Sequence, residues 1–557
     1  MFVRGARAAW AYGARAASGR YALPRMVPRT AMATTLVTLG GCALASPLLA
    51  DALFEAPPNT EHRFPLCSFL AWGSNKNGVS APGEKASTVP LPKVLQVLDG
   101  VSWRDVQLND TCAVAVDASG DIVQWGGGFD AAPDTAPTKT LTGMDIQRVQ
   151  LSGGKVYALS RSGHVYVFSQ ARERQQPEKT SWLSPSVDAV KLSANEKFAD
   201  IVAGDHHVLG LSRQGRVYSI PADNLANEYG QLGYSTVHLG HAESERTCEV
   251  LLEPLVVRKK RAATGSAPTA SDPEPTRSST DIRYATSWRL IPSLSDSTFA
   301  EIAAGTAHSV VRTEDGRVLS WGQNSNGQLG LGAHVTFETI AVPREVEFPL
   351  SVVGRHAKCT RIAAGGANTF FVLHSRGAPM ASDDGPTKAN ERVDVLAVGA
   401  GQRGTLGNGQ RNQSCGVPVR VKVISGMQEY SEAHRGMRPI DVHAITVGDS
   451  GQCAVVMEAP SLGEQTRRDV YVWGDNSASQ LANGKKGHTA VPALLSMVDK
   501  TESSKDPDGD SVLVRVLLVE QVKARAKSFA GRERTFADIE QRIVAGGSCM
   551  ALYAGVA

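Results

Sequence analysis

Polar and thiol side chains recur at one position of a repeated sequence unit, three residues after a small turn residue. This position holds His308, His207, Cys112, Cys549, Lys155, Asn368 and, with a shift of one residue, Cys453. Imidazoles and thiolates are the ligands that zinc prefers, but a zinc site needs donors that converge at about 2.0–2.3 Å. A repeat that closes on itself spreads equivalent positions around a ring. We therefore expect these side chains to bond backbone groups beside the turn, and we predict no metal site.

Other patterns of catalytic or binding residues are weak. His206 and His207 are adjacent, so on a strand they face opposite sides and do not easily bind one ion. The chain contains no G-x-x-x-x-G-K-[ST] loop, G-x-S-x-G elbow or H-E-x-x-H helix. The glycines of Gly399-Ala-Gly401 lie in a repeat tail and do not indicate a nucleotide loop. The sequence assigns no catalytic, cofactor-binding or metal-binding residue, and it predicts a protein that is not an enzyme.

The unit that carries these positions is clearest over residues 302–330, which read IAAGTAHSVVRTEDGRVLSWGQNSNGQLG. In four copies the turn residue and the tail residue lie 17 positions apart: Gly305 and Gly322, Gly204 and Pro221, Asn109 and Gly126, Ser152 and Ser169. Two further copies carry insertions, with 34 positions from Gly365 to Gly399 and 26 from Gly448 to Gly474. A fixed period of this length indicates a repeat architecture.

Each copy predicts a small antiparallel meander. Two short apolar runs flank Asp315-Gly316, and Asp-Gly between such runs favours a hairpin because glycine accepts positive φ. A tryptophan closes the clearest copies, and we expect these side chains in the core: Trp72, Trp125, Trp321 and Trp473. One meander cannot bury both of its faces, so neighbouring copies must stack.

The two ends of the repeat region carry complementary half-copies. Ile543 to Tyr553 has the first half without Trp-Gly, whereas Ser68 to Gly78 has the Trp-Gly half without its beginning. Pairing them completes a seventh unit beside six internal ones. The predicted fold is therefore all-β, a seven-bladed β-propeller closed by its N- and C-terminal half-blades, and closure removes exposed sheet edges.

These repeats resemble the regulator of chromosome condensation repeat family over roughly residues 64–557. Phe168-Ser169 and Ile220-Pro221 replace Trp-Gly in two weaker copies. The resemblance implies a seven-bladed propeller. For the mitochondrial branch of the family it implies a role in respiratory-complex assembly (complex III in fungal-type members) or in mitochondrial translation. The nuclear relative acts on a Ras-like GTPase, so guanine-nucleotide exchange is a further alternative.

The N-terminal segment has a different composition. Residues 1–50 contain no Asp or Glu, and residues 1–29 contain six arginines, which is typical of a mitochondrial transit peptide. The alternative is a basic tail without structure. Residues 30–50 carry no charge and are long enough for a single transmembrane helix. They predict an inner-membrane anchor or, alternatively, a continuation of the transit peptide, and the side of the membrane that the propeller faces stays open.

Insertions interrupt the repeat near residues 254–290, 375–392 and 501–541. The first is rich in Ser, Thr, Pro and Ala from Arg258 to about Thr280, which predicts a disordered loop. In the third, Glu520 to Arg542 predicts a short helix outside the ring. Because the insertions differ from the scaffold, they are the best candidates for contacts with protein partners, such as respiratory-complex subunits, assembly factors or a GTPase.

Overall composition limits the classes of protein that the chain can belong to, but it does not indicate a function. The net charge of +3 gives no argument for specific nucleic-acid binding. The chain has eight cysteines, and none of them forms a C-x-x-C motif, so neither a disulfide framework nor a zinc ribbon is indicated.

Overall fold

A computed structural model describes the chain over residues 61–62, 65–131, 136–175, 187–263, 276–350, 357–376, 381–382, 385–386, 391–431, 435–458, 467–498 and 513–556. The predicted transit segment 1–29 and the predicted membrane span 30–50 lie outside the described residues. Within the described ranges, no helix has both the length and the apolar character needed to cross a bilayer.

The described chain is almost entirely β-structure. Its first part forms β1 (Glu61–His62), β2 (Leu70–Ser74), β3 (Thr88–Val94), β4 (Trp103–Leu108), β5 (Ala113–Asp117), β6 (Ile122–Trp125), β7 (Thr138–Lys139), β8 (Ile146–Ser152), β9 (Lys155–Ser160), β10 (Val165–Ser169), β11 (Val190–Lys191), β12 (Phe198–Ala203), β13 (His207–Ser212) and β14 (Val217–Pro221). The middle part forms β15 (Thr236–Gly240), β16 (Thr247–Leu251), α1 (Leu255–Ala263), β17 (Arg289–Leu290), β18 (Phe299–Ala304), β19 (His308–Thr313), β20 (Val318–Gln323), β21 (Thr339–Glu345), β22 (Ala357–Gly365), β23 (Asn368–Arg376), β24 (Ala381–Ser382), β25 (Gly385–Pro386), β26 (Glu391–Ala400) and β27 (Ser414–Arg420). The last part forms β28 (Gln428–Ser431), β29 (Gly436–Pro439), β30 (Val442–Val447), β31 (Gln452–Met457), β32 (Arg467–Gly474), β33 (Thr489–Leu494), β34 (Ser496–Val498), β35 (Leu513–Val519), β36 (Val522–Lys527), β37 (Glu533–Gly546) and β38 (Cys549–Val556).

The repeating unit is a four-stranded antiparallel meander, as the hairpin pattern predicts. In the best copy, β18 pairs with β19, β19 with β20 and β20 with β21. The Asp-Gly turn lies between β19 and β20, where Gly316 has a φ of 92°. A side chain is strongly disfavoured at that angle, which accounts for the recurring glycine at this turn.

The two ends of the repeat region complete one meander together. Strand β2 pairs with β38, with Leu70 opposite Leu552 and Gly73 opposite Cys549. Strands β37 and β3 flank this pair. The expected pairing of the terminal half-copies is therefore present in the structure.

The meanders stack around an axis as a β-propeller. Their innermost strands contact one another in the cyclic order β4, β8, β12, β18, β22, β30, β37 and back to β4. The meanders do not all form separate sheets, although each blade of a propeller is ordinarily a sheet of its own. A bridge between Gly555 and Trp103 joins β38 to β4, so two meanders share a nine-stranded sheet in the described part of the chain.

Side chains that alternate along the second strand of each meander hold neighbouring meanders together. Successive side chains of a strand point to opposite faces. On β19, Val311 packs with Leu209 of the preceding meander, whereas Val310 packs with Phe371 of the following one. The core therefore lies between meanders, and second strands such as β5, β9, β13, β19 and β31 are buried on both faces along most of their length.

The first insertion begins with more order than the sequence predicts. Helix α1 runs from Leu255 to Ala263 and so overlaps the start of the stretch from Arg258 that was expected to lack structure, and the hairpin of β15 and β16 lies just before the insertion. Trp288, near the end of this insertion, is buried against Phe198. In the second insertion, β23 and β26 continue the ladder as far as Arg376 and Glu391. Residues 264–275 lie outside the described residues.

The helix predicted over residues 520–542 is wrong. This stretch forms β36 and most of β37, which pair with each other, and β37 also pairs with β38. Lys, Arg, Ala and Glu favour helices by intrinsic propensity, but that preference is worth less than 1 kcal/mol per residue. Pairing with β38 and burial of Ile539 outweigh it.

Candidate functional site

The residues singled out by the repeat do share one position of the meander. Five of them open the second strand and lie opposite one of the last two residues of the third strand: His308, His207, Lys155, Asn368 and Cys549. Cys112 lies immediately before β5. His308 lies opposite Gly322, and His207 lies opposite Pro221. The assignment of Cys453 to this position is wrong, because it is Gln452 that lies opposite Gly474. The turn that begins at Gly448 is one residue longer than the others, so the register moves by one.

His308 links two neighbouring meanders. Its Nε2 lies 2.9 Å from the Thr369 hydroxyl, which donates to the Gln328 carbonyl at 2.7 Å. Because that hydroxyl has used its hydrogen, the imidazole must donate through Nε2 and is fixed as one tautomer. The ring is fully buried, and burial lowers its pKa to about 4. His308 is therefore neutral at physiological pH.

His207 repeats this arrangement one meander earlier. Its Nε2 lies 2.9 Å from the Ser309 hydroxyl, which donates to the Gln231 carbonyl at 3.0 Å. Burial lowers the pKa of His207 to about 3. The close approach of the imidazole also explains the turn glycine, since a Cβ on Gly204 would lie 2.5 Å from Cε1 of His207. Its neighbour His206 instead bonds Asp223, at 2.6 Å.

The prediction of bonds to backbone groups is wrong for the two histidines, which bond hydroxyl groups, but it holds for Lys155 and Asn368. Gln452, which takes the place predicted for Cys453, also bonds a backbone carbonyl. The donors and acceptors are Lys155 Nζ and Ala222 O at 2.6 Å, Asn368 Nδ2 and Ala400 O at 2.7 Å, and Gln452 Nε2 and Gly547 O at 2.7 Å. Burial raises the pKa of the Cys112 and Cys549 thiols to about 12. Among the described residues no group of His, Cys, Asp and Glu is placed to hold a metal ion.

The recurring tryptophans form a second link between meanders. All four are buried, and each indole N–H donates to a backbone carbonyl in the tail of the preceding meander. The pairs are Trp72 and Gln480 at 2.6 Å, Trp125 and Val79 at 2.9 Å, Trp321 and Gln231 at 2.9 Å, and Trp473 and Thr405 at 2.6 Å. The tryptophans are core residues, and their acceptor is the second residue of the tail, which reads Gly-Gln-Leu-Gly at residues 230–233 and has a different sequence in the other three copies.

The innermost strands surround a central cavity of about 870 Å³. Charged groups that line it already have partners: Arg148 Nη1 lies 2.5 Å from Asp200 Oδ1, and Asp105 accepts a bond from the Val149 N–H at 2.9 Å. At one end, neighbouring turns bond each other, with Asp205 N–H donating to Thr306 O at 3.0 Å. These contacts tie the ring together rather than present free ligands.

The third insertion is fixed to the ring by charge. Buried Arg468 on β32 contacts Glu520, Glu540 and Glu458 at 3.4, 3.0 and 3.2 Å. Strand β35 also adds to β32, with Asp469 opposite Leu517. The insertion is thus an ordered extension of the propeller surface, on which Lys523 and Lys527 are exposed.

One group of exposed cations was not found from the sequence. Arg161 and Arg213 occupy equivalent hairpin turns of two neighbouring meanders, where the other turns carry neutral or acidic residues such as Ala118 and Glu314. Comparing this turn between copies could have revealed the change of charge. Lys191 and Lys197 come close to the same turns in the fold, a contact that no local pattern indicates.

Comparison with known proteins decides what the repeats are. The Regulator of chromosome condensation (RCC1) repeat matches residues 299–328 and residues 315–372. Residues 299–372 therefore carry RCC1 repeats. The matched residues span β18 to β20 and continue into β23, so they include both His308 and the residue that it bonds, Thr369.

Two similar proteins align with more than half of this chain. Protein FMP25, mitochondrial, of Saccharomyces cerevisiae is 23% identical over 70% of this chain and 60% of its own length. RCC1 domain-containing protein RUG3, mitochondrial, of Arabidopsis thaliana is 23% identical over 54% of this chain and 58% of its own. The matches therefore span about 60% of the length of these relatives. The crystal structure of human WBSCR16 superposes with a TM-score of 0.53 at 16% identity, covering 88% of this chain and 99% of that one, and this likeness concerns the fold.

Proposed function

We propose that this protein is a non-enzymatic mitochondrial propeller scaffold that assists assembly of a respiratory-chain complex through protein–protein contacts. Complex III is the first candidate for that complex. The observation that carries the proposal is the use of the repeated polar position. His308, His207 and Gln452 bond neighbouring meanders, so the ring is built as a stable platform. Function on such a platform belongs to its surfaces and insertions.

The mitochondrial part of the proposal has two supports. Residues 1–29 have the composition of a transit peptide. Two relatives with RCC1 repeats carry the word mitochondrial in their names. Attachment to the inner membrane through residues 30–50 is proposed on their length and lack of charge alone.

We also propose that the ring has seven blades. The support is the cyclic order of contacts among seven innermost strands, from β4 round to β37 and back. The bridge at Gly555 then joins two blades at the seam where the terminal half-copies meet. A low-resolution image along the axis would count the blades.

The partner surface is proposed to include the third insertion. Its strands are docked through Arg468, and β36 presents Lys523 and Lys527 to solvent. A partner would therefore meet a preformed surface and pay little ordering entropy on binding.

Deletion of the gene tests the assembly role. We expect a lower level of assembled complex III on native gels, restored by the full chain. Normal levels of every respiratory complex and of both mitochondrial ribosomal subunits would refute the scaffold. A fall in ribosomal subunits alone would replace it with a role in translation. Faster nucleotide release from a mitochondrial GTPase in the presence of the purified protein would replace it with an exchange factor.

Fractionation tests the location. Protein with an intact N-terminus should be found in mitochondria and should resist carbonate extraction if residues 30–50 anchor it. Release into the supernatant would remove the anchor from the proposal, and protease protection would assign the side of the membrane.

A further inference from the structure

Exposed cations gather at the hairpin ends of two neighbouring meanders. Lys197 Nζ lies 2.6 Å from Nε2 of His164, and Lys191 Nζ lies 3.3 Å from the same nitrogen. Arg213 donates to the Arg161 carbonyl at 2.7 Å. The Arg213 N–H donates to the Lys197 carbonyl at 2.8 Å, so the five residues form one continuous surface, called here the basic surface.

The basic surface has no acidic counterpart among the described residues. No carboxylate there forms an ion pair with Arg161, Lys191, Lys197 or Arg213, all of which are exposed. The nearest acids in sequence are engaged elsewhere, since Glu196 pairs with Arg216 and Asp188 lies 4.0 Å from Arg283. The positive charge of this surface is therefore not balanced locally.

The ammonium groups of Lys191 and Lys197 approach the same nitrogen of His164 and repel each other. One imidazole nitrogen has a single lone pair, and two ammonium groups approach it. Loss of solvent around the ring, together with the charge of the two lysines, lowers the pKa of His164. A carboxylate from outside would accept bonds from both ammonium groups and offset their repulsion.

We propose that the basic surface binds an acidic segment of a partner protein, rich in Asp and Glu. This inference deepens the proposed scaffold function, on which it rests, by naming the chemistry of the partner. Single-stranded nucleic acid fits less well, because such sites stack bases on exposed aromatic rings. Exposed aromatic side chains in the described part of the chain, Phe337 and Tyr430, belong to other meanders.

Fluorescence anisotropy with the purified full chain tests the proposal. The probe is a labelled ten-residue polyglutamate, with polyglutamine as the neutral probe and a ten-nucleotide oligouridine as the nucleic-acid probe. We expect polyglutamate to bind, with an affinity that falls as salt rises, and polyglutamine not to bind. Reversing two charges, Lys191→Glu with Lys197→Glu, should weaken polyglutamate binding by about tenfold or more.

A matched variant controls for net charge. Lys485→Glu with Lys486→Glu makes the same change in an exposed loop after β32, and it should change the affinity by about twofold or less. Equal weakening in both variants, or no binding of polyglutamate, would overturn the proposal. Tighter binding of oligouridine that the Lys191 and Lys197 changes abolish would overturn it in favour of nucleic acid. If the reversed variant does not fold, Lys191→Gln with Lys197→Gln replaces it.

The assembly assay separates this inference from the scaffold role. If polyglutamate fails to bind while gene deletion still lowers complex III, the basic surface is not the contact and the scaffold stands. If polyglutamate binds as expected and deletion changes no complex, the surface stands and its partner lies outside the respiratory chain.

Discussion

At the scale of single residues, His308 stabilises the contact between two meanders. His308→Ala removes the bond to Thr369 and leaves a cavity at a fully buried site. We expect the free energy of unfolding to fall by about 2–4 kcal/mol in urea titrations at neutral pH. His238→Ala, on an exposed position of β15, is the matched control and should cost less than about 0.5 kcal/mol. Similar losses in both variants would contradict the structural role.

Two buried histidines, His308 and His207, make the stability of the fold depend on pH. Burial lowers the pKa of His308 to about 4 and that of His207 to about 3, below the unfolded value near 6.5. The unfolded chain therefore binds more protons, and stability falls as the pH drops below about 6.5. In His308→Gln the slope of the unfolding free energy against pH, measured between pH 6 and pH 4.5, should decrease by up to about 1.4 kcal/mol per pH unit. An unchanged slope in unfolding titrations across this range would show that His308 is not buried as a neutral ring.

Sequence could predict which residue types share a position but not every register. The bonds of Lys155 and Asn368 to backbone carbonyls follow from the need to satisfy polar groups beside a turn. Gln452 was missed because the Gly448 turn closes through a bond from the Gly448 N–H to the Gln452 carbonyl, which only the fold defines. The approach of Lys191 to His164 also depends on the packing of distant strands.

At the scale of elements, the β36–β37 hairpin offers a direct comparison of two paired residues. Val522 lies opposite Ile539, but Ile539 is fully buried whereas Val522 is 43% exposed. Ile539→Ala should lower the unfolding free energy by about 2–4 kcal/mol, and Val522→Ala by about 1 kcal/mol or less. Urea titrations of the two variants compare them directly. Equal small effects are what a helix outside the ring would give, and they would contradict the strand assignment.

Strands within the repeat were predictable because hydrophobic runs and glycine turns recur in register. The region from Glu520 to Arg542 was not, because its composition favours a helix while its partner strand, β38, lies after it in the chain. Pairing of β37 with the adjacent strands β36 and β38 outweighed the helix propensity there. The hairpin of β15 and β16 was missed for a related reason, since it packs Val237 and Leu239 against the core of a neighbouring meander.

At the scale of the whole molecule, complementary half-copies at the two ends were enough to predict that β2 and β38 pair. They did not predict the bridge between Gly555 and Trp103, which merges two meanders into one sheet. A single bridge depends on how closely adjacent inner strands approach, and that distance is set by packing around the entire ring. Repeat counting gives the order of the meanders but not their sheet boundaries.

Closure makes a final prediction about cooperativity. Trp72→Phe and Trp321→Phe each remove one indole bond between meanders, the first at the seam formed by the two ends and the second in the best internal copy. In a closed ring every meander has two neighbours, so opening one contact weakens all of them. Each variant should lose about 1–3 kcal/mol in a single urea transition. Hydrogen exchange should then show faster opening of residues 308–323 in the Trp72 variant as well. If Trp72→Phe speeds exchange only in residues 68–94 and 537–556, the seam opens alone and the ring is not a cooperative unit.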